Sequence, residues 1–341
     1  MAMSHFLVKN LPTKVAIEFI IQQGETTWYN NHHMITVQDF DTRELKKLQI
    51  INPASHKGDN GKILVVGGST LFHSASLWAA ELAAHFVDHV FYYSPAHINR
   101  EVLIKSKTEF KNGFIIEAKD LELYIQEADV VLIGPGLRRQ DVRTSHAYVE
   151  YMSNIEKIES IVSEPLQSYI LTNVLVSKYT HKKWVIDAGA LQEIELPNIT
   201  KSCILTPHQQ EFGRLFPLER KLAGLDEGKF IDVLRNTVGR TPATWLLKRQ
   251  GTDYITSPHR DIIRVTGGNE GLIKGGVSTA IVLNHRLYGI WNISALPKEN
   301  LFLYGAVLRF VTCCFFLQHP LEKGLRRFSC LLKKCIAGLD E

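Results

Sequence analysis

This 341-residue chain is short of several things, and each shortage excludes a class of function. Charge of one sign is nearly absent: 39 Lys and Arg stand against 35 Asp and Glu, a formal net charge of +4. The whole excess lies between Val277 and Glu341, where eight basic residues face four acidic ones, so residues 1–276 balance to zero. A body without net charge is not built to hold a polyanion, which argues against nucleic acid as a partner. Cysteine is scarce as well. Apart from Cys203, the four others (Cys313, Cys314, Cys330, Cys335) sit in that same basic tail. Their spacing fits neither a zinc template nor a disulfide framework, so free thiols in a reducing compartment are expected. Long apolar runs are missing too. The first 34 residues hold no uninterrupted apolar core with a small-residue cleavage site. The most apolar stretch, Leu301 to Leu317, contains Arg309 and is too short to span a bilayer. These absences predict a cytoplasmic, soluble protein with no membrane partner.

No low-complexity tract, internal repeat or Pro/Gly/Ser linker breaks the chain. At 45% hydrophobic and 22% charged it has the composition of a folded globular protein. Residues 1–33 read as an N-terminal extension and residues 34–341 as one domain.

What is present is an alternation. The apolar, β-branched runs are 62–69 (KILVVGGS), 89–95 (HVFYYSP), 129–136 (DVVLIGPG), 184–191 (WVIDAGAL), 203–208 (CILTPH), 245–251 and 253–258. Helical patterns separate several of them, over 76–88 and in a polar stretch around 140–160. Strands apolar throughout are buried on both faces, as in a parallel sheet covered by helices, so the fold class predicted is α/β and doubly wound. Ligands of such sheets bind beyond the carboxyl ends of the strands. Four predicted strand ends carry chemistry: Gly67-Gly68-Ser69, Gly134-Pro135-Gly136, Asp187, and His208 through Glu211.

Each admits a structural and a functional explanation. Lys57-Gly58-Asp59 together with Gly67-Gly68-Ser69 could free helix N–H groups for an anion, or make a tight strand-to-helix turn. The dinucleotide fingerprint G-x-G-x-x-G is absent. In Gly134-Pro135-Gly136 the glycines keep side chains off a pocket floor. Asp187 is either a helix N-cap or a contact for a ligand or metal-bound water. In Thr206-Pro207-His208-Gln209-Gln210-Glu211, a capping arrangement accounts for Glu211 but leaves His208 without a purpose. Alternatively, the carboxylate holds Mg²⁺ through water while the imidazole faces a substrate. TGGNEGLIKGG (266–276) is suited to cradling phosphates, with Lys274 as a cation.

In order and spacing, HKGDNGKILVVGGS, GPGL, DAGAL, TPH-x-x-EF and TGGNEG-x-x-KGG resemble ADP- or ATP-dependent NAD(P)H-hydrate dehydratases over His56 to Gly276. The resemblance implies a ribokinase-like, three-layer αβα fold with a mostly parallel sheet. It implies a hydro-lyase of metabolite repair: a nucleotide, ADP or ATP with Mg²⁺, phosphorylates the hydroxyl of hydrated NADH or NADPH, and elimination restores the dihydronicotinamide. By the resemblance Ala75, Gly136 and His208 line the hydrate site. Lys248, Arg249, Gln250, Gly251 and Thr252 meet the adenine nucleotide, Asn269, Gly275, Gly276 and Ser278 its phosphates, and Glu211 takes the acidic position of the Mg²⁺ region. A homo-oligomer is compatible with this reading.

The chain departs from the family where Gly-Gly-Thr-Gly-Asp becomes Gly275-Gly276-Val277-Ser278-Thr279. Thr279 thus stands at the position of the catalytic aspartate and does not titrate near neutral pH. Arg249 replaces the glycine after the family's lysine and is expected to crowd the nucleotide loop; Ser74 replaces another glycine. Residues 277–341 read as a divergent tail. Two alternatives follow: a non-catalytic nucleotide- or NAD(P)-binding protein, and a vitamin-precursor kinase of the same fold.

Overall fold

The computed structural model describes residues 19–22, 25–28, 36–39, 54, 56–84, 87–105, 112–142, 144–217, 224–249, 252–258 and 260–266. The first strands, β1 (Phe19–Gln22) and β2 (Glu25–Trp28), pair with each other in an antiparallel hairpin. Then come β3 (Val37–Asp39), β4 (Lys62–Val66), α1 (Ser74–Ala84), β5 (His89–Tyr93), α2 (His97–Lys105) and β6 (Gly113–Ile115). They are followed by α3 (Leu121–Glu127), β7 (Val130–Ile133), α4 (Glu164–Lys178), β8 (Lys183–Ile186), α5 (Ala188–Glu193), β9 (Cys203–Leu205) and α6 (Gln209–Leu215). Last are α7 (Glu227–Val238), β10 (Thr244–Arg249), β11 (Thr252–Thr256) and β12 (Ile262–Thr266).

Strands β3 to β12 form one sheet in the order β3-β12-β11-β10-β9-β8-β7-β4-β5-β6. It is parallel except where β11 meets β10 and β12. The two-residue period of a strand sorts its side chains onto two covered faces. Leu64, Val66, Val131, Ile133, Trp184 and Trp245 join residues of α3 to α7, among them Leu121, Leu171, Leu191, Phe212 and Phe230. Ile63, Val65, Val90 and Leu132 pack with Ala79, Ala80 and Ala83 of α1 and Leu103 of α2. The α/β class expected from the apolar runs is the observed one.

The polar helix expected around 140–160 is not there. Two 3₁₀ segments, Val149–Ser153 and Ile155–Ser160, occupy its second half, and the α-helix begins only at Glu164. Pro165 is tolerated in a first helical turn and breaks a helix interior, so α4 starts beside it. Residues Gln167 through Val176 of α4 are all buried, which left no polar stripe to reveal the helix. Cys203 is a buried free thiol; the other cysteines lie outside the described residues. Among the described residues no helix is long and apolar enough to cross a membrane.

Candidate functional site

Strands β10, β9, β8, β7 and β4 are consecutive neighbours and all parallel. Their carboxyl ends therefore deliver Lys248, His208, Asp187, Gly134-Pro135-Gly136 and Gly67-Gly68-Ser69 to one edge. From β4 the chain runs outward to β5 and β6, then returns to β7 on the other side of β4 and proceeds to β8, β9 and β10. That reversal makes the β4/β7 boundary a topological switch point, the place beyond the strand ends where ligands of such sheets bind.

The glycines let two loops interlock there. Gly68 N donates to Pro135 O at 2.8 Å and Gly134 N to Val66 O at 3.0 Å. Gly68, Gly134 and Gly136 have φ of +82°, +123° and +74°. A Cβ on Gly134 would strike the Asp187 carbonyl, and one on Gly136 would come 2.8 Å from the Phe72 carbonyl. Close backbone packing, more than a bare pocket floor, requires glycine here. Gly67 N donates to Tyr93 O and Ser69 N to Phe72 O, so neither is free. Lys57-Gly58-Asp59 precedes β4 and lies at the opposite rim of the sheet, where Asp88 accepts from Gly58 N (2.7 Å) and Asn60 N (3.0 Å). It is a turn and has no part in the site.

Asp187 follows β8 and is 1% exposed. Its side chain makes no cap bond to α5. Oδ1 instead accepts from Thr206 Oγ1 at 2.6 Å and pairs with Lys248 Nζ at 3.2 Å. Ala188, next in line, has φ +45°, a strained conformation for a non-glycine residue. The sharp strand-to-helix turn holds the carboxylate at the strand end.

His208 is the N-cap of α6. Its Nδ1 accepts from Gln210 N (3.1 Å) and Glu211 N (3.2 Å), while Glu211 Oε2 accepts from His208 N at 3.0 Å. This is a capping box with imidazole in place of a hydroxyl, so capping explains His208 as well as Glu211. Because Nδ1 accepts, the neutral ring carries its proton on Nε2, 3.5 Å from Glu211 Oε1. Burial, then the Lys248 cation, lowers the His208 pKa to about 4, so the ring is neutral at pH 7. Burial raises the Glu211 carboxyl to about 7, with Lys248 opposing.

That last shift has a measurable consequence. A carboxyl whose folded pKa exceeds its unfolded value of 4.5 contributes stability fully present below 4.5 and lost as pH rises through about 7. Glu211→Gln keeps an acceptor for the His208 amide and removes the titration. Urea unfolding should show native protein losing on the order of 2 kcal/mol relative to E211Q between about pH 5 and about pH 7.5. Parallel stability curves would contradict the burial argument.

Lys248 N donates to Pro207 O at 2.8 Å, tying β10 to the His208 loop. Arg249 points to the other face, its guanidinium 4.6 Å over the Phe230 ring and Nη2 donating to Leu225 O at 2.7 Å. The expected crowding by Arg249 is thereby relieved, because strand alternation turns it from Lys248. Thr252 pairs with Arg249 across the β10–β11 hairpin. Ala75 lies in the first turn of α1. Gln250, Gly251, Asn269, Gly275, Gly276, Ser278, Thr279 and the whole tail lie outside the described residues. Sequence reasoning missed the Asp187–Lys248 pair, since 61 residues separate the partners and no local pattern links them. It also passed over Gln192, whose Nε2 reaches Glu211 Oε1 at 3.5 Å.

The chain is similar to known proteins to different degrees. The chain is similar to the ADP-dependent (S)-NAD(P)H-hydrate dehydratase of Staphylococcus aureus, 27% identical over 229 residues, covering 67% of this chain and 72% of that protein. It is 26% identical over 247 residues to the bifunctional NAD(P)H-hydrate repair enzyme of Methanothermobacter thermautotrophicus, which covers 70% of this chain but only 43% of that longer protein. Among solved structures, a ribokinase-like superfamily protein from Enterococcus faecalis superposes with a TM-score of 0.63 at 17% identity, covering 90% of this chain and 99% of its own. The ADP/ATP-dependent NAD(P)H-hydrate dehydratase of Bacillus subtilis, co-crystallized with ATP/Mg²⁺, gives 0.60 at 18%, covering 87% and 98%. The fold is therefore ribokinase-like. A family model described as NAD(P)H-hydrate dehydratase matches residues 63–278, more than half of the chain, and the protein belongs to that family.

Proposed function

We propose that this protein is a cytoplasmic repair enzyme that dehydrates NAD(P)H hydrate with an adenine nucleotide as phosphate donor. The observation that carries the reading is the gathering of His208, Glu211, Asp187 and Lys248 at the carboxyl ends of β8, β9 and β10, on the same edge of the sheet as the interlocked glycine loops. The hydrate lies against Ala75, Gly136 and His208. His208, neutral and protonated on Nε2, donates a hydrogen bond and accepts no proton there. Lys248 leads into the nucleotide segment ending at Thr252, and its pairing with buried Asp187 fixes the ammonium before any phosphate arrives. Residues Asn269 to Ser278 hold the nucleotide's phosphates. We assign residues 34–341 to one domain, with 1–33 as an extension and 277–341 as a divergent tail.

Among the described residues no three His, Cys, Asp or Glu side chains converge to cage a metal. Mg²⁺ keeps most of its waters and takes few protein carboxylates, so it would enter on the nucleotide's phosphates and reach Glu211 through water. The ion would neutralise charge on the phosphate oxygens.

Incubation of purified protein with NADH hydrate, Mg²⁺ and ADP or ATP should restore the absorbance of reduced nicotinamide. Tight nucleotide and hydrate binding without recovery would support the non-catalytic alternative instead, to which Thr279 points.

A further inference from the structure

Two histidines stand at the proposed site, and hydrogen bonds fix them in opposite tautomers. His208 Nδ1 accepts two backbone amides, so its Nε2 bears the proton. His73, immediately before α1, is the reverse. Its Nδ1 lies 2.5 Å from Asn99 Oδ1. Asn99 is fully buried, and its Nδ2 donates to Ser69 O and to Ser94 Oγ, each at 3.0 Å. Turning that amide over would set its oxygen against the Ser69 carbonyl. Oδ1 must accept, His73 Nδ1 must donate, and the lone pair of the neutral ring falls on Nε2. Among the described residues His73 Nε2 has no hydrogen-bond partner.

The loop carrying His73 is pinned beside the proposed hydrate site. Ser69 N donates to Phe72 O and Phe72 N to Ser69 Oγ. Thr70 binds both oxygens of Glu164 at the start of α4, through its amide (2.8 Å) and its hydroxyl (3.0 Å). The Phe72 carbonyl abuts Gly136. His73 thus stands between a residue touching Gly136 and the first turn of α1, which contains Ala75. Among the described residues, Asp187 is committed to Lys248 and Thr206, and Glu211 to the cap of α6. Thr279 has no titratable group.

We propose that His73 is the proton acceptor on the hydrate side of the site, a role that rests on the dehydratase reading above. The ring hydroxyl oxygen attacks the terminal phosphorus of the nucleotide. An O–P bond forms, the bond from phosphorus to the bridging oxygen breaks with its electron pair leaving on the nucleotide, and the hydroxyl proton passes to His73 Nε2. The resulting imidazolium keeps its Nδ1–H bond to Asn99, and the proton returns to solvent. Asn99 is a positioning residue; its bond to Nδ1 keeps the lone pair of the neutral ring on Nε2.

His73→Gln should lower kcat by about 10²- to 10⁴-fold while moving the KM for hydrate by less than about threefold. Added imidazole should recover part of the activity of His73→Ala. Nitrogen-15 spectra of the ring nitrogens in native protein should show the neutral form of His73 unprotonated at Nε2 and that of His208 unprotonated at Nδ1. An unchanged kcat in folded H73Q overturns the proposal and leaves the dehydratase reading standing. A protonated Nε2 on neutral His73 overturns it whether or not the variants fold. Native protein that never consumes hydrate removes the dehydratase reading and this role with it.

Discussion

Gly134→Ala is expected to destabilise the protein by about 3–6 kcal/mol, the sum of two separate costs. Gly134 has φ +123°, a region L-residues enter only under strain. A Cβ there would also overlap the Asp187 carbonyl, and the neighbour is backbone with nowhere to retreat. Moving it would drag Asp187 off Lys248 and Thr206, so the variant should lose ligand binding along with stability. Gly224→Ala is the control. Gly224 has φ +84° but nothing within 4 Å of an added Cβ, and it should lose only about 1 kcal/mol. Urea midpoints of the two variants separate strain from collision. Equal losses would show that conformation alone matters at Gly134.

Lys248→Met should cost about 3–5 kcal/mol, because it strips the cation from a carboxylate that is 1% exposed. The methionine stem replaces the lysine stem, so packing against the His208 loop is largely kept and the loss reports charge. Asp187→Asn in the same chain should restore most of the stability, since position 187 then carries no charge. Nucleotide affinity, by contrast, should stay low in both variants. A single K248M variant as stable as native protein would mean that Asp187 finds its compensation elsewhere. A double variant no better than the single would say the same.

The strand ends were legible in the sequence because continuous apolar runs stop abruptly at Gly, Asp or Pro-His. Neighbouring parallel strands then bring such stops to one edge without further information. Three things were not legible, each for a physical reason. Gly58 and Gly67 are close in sequence, but the five residues of β4 between them, at about 3.3 Å each, put them at opposite rims of the sheet. The cap made by His208 escapes the sequence, because side-chain caps are ordinarily Ser, Thr, Asp or Asn and an imidazole does not advertise one. The pairing of His73 with Asn99 depends on α1 and α2 lying on the same face of the sheet, beside adjacent strands, and no spacing encodes that.

The rim opposite the proposed site is closed off by its own chemistry. Asp88 gathers the 56–60 turn, Asp129 accepts from Lys62 N, and Lys182 Nζ donates to the Gln126 and Ala128 carbonyls. The sheet thus has one end given to the proposed site and one whose polar groups are bonded to one another. A fluorophore, affinity handle or surface tether attached near exposed Lys57 would be about a strand's length from the chemistry, and would report on the protein or immobilise it without standing in the path of nucleotide or hydrate.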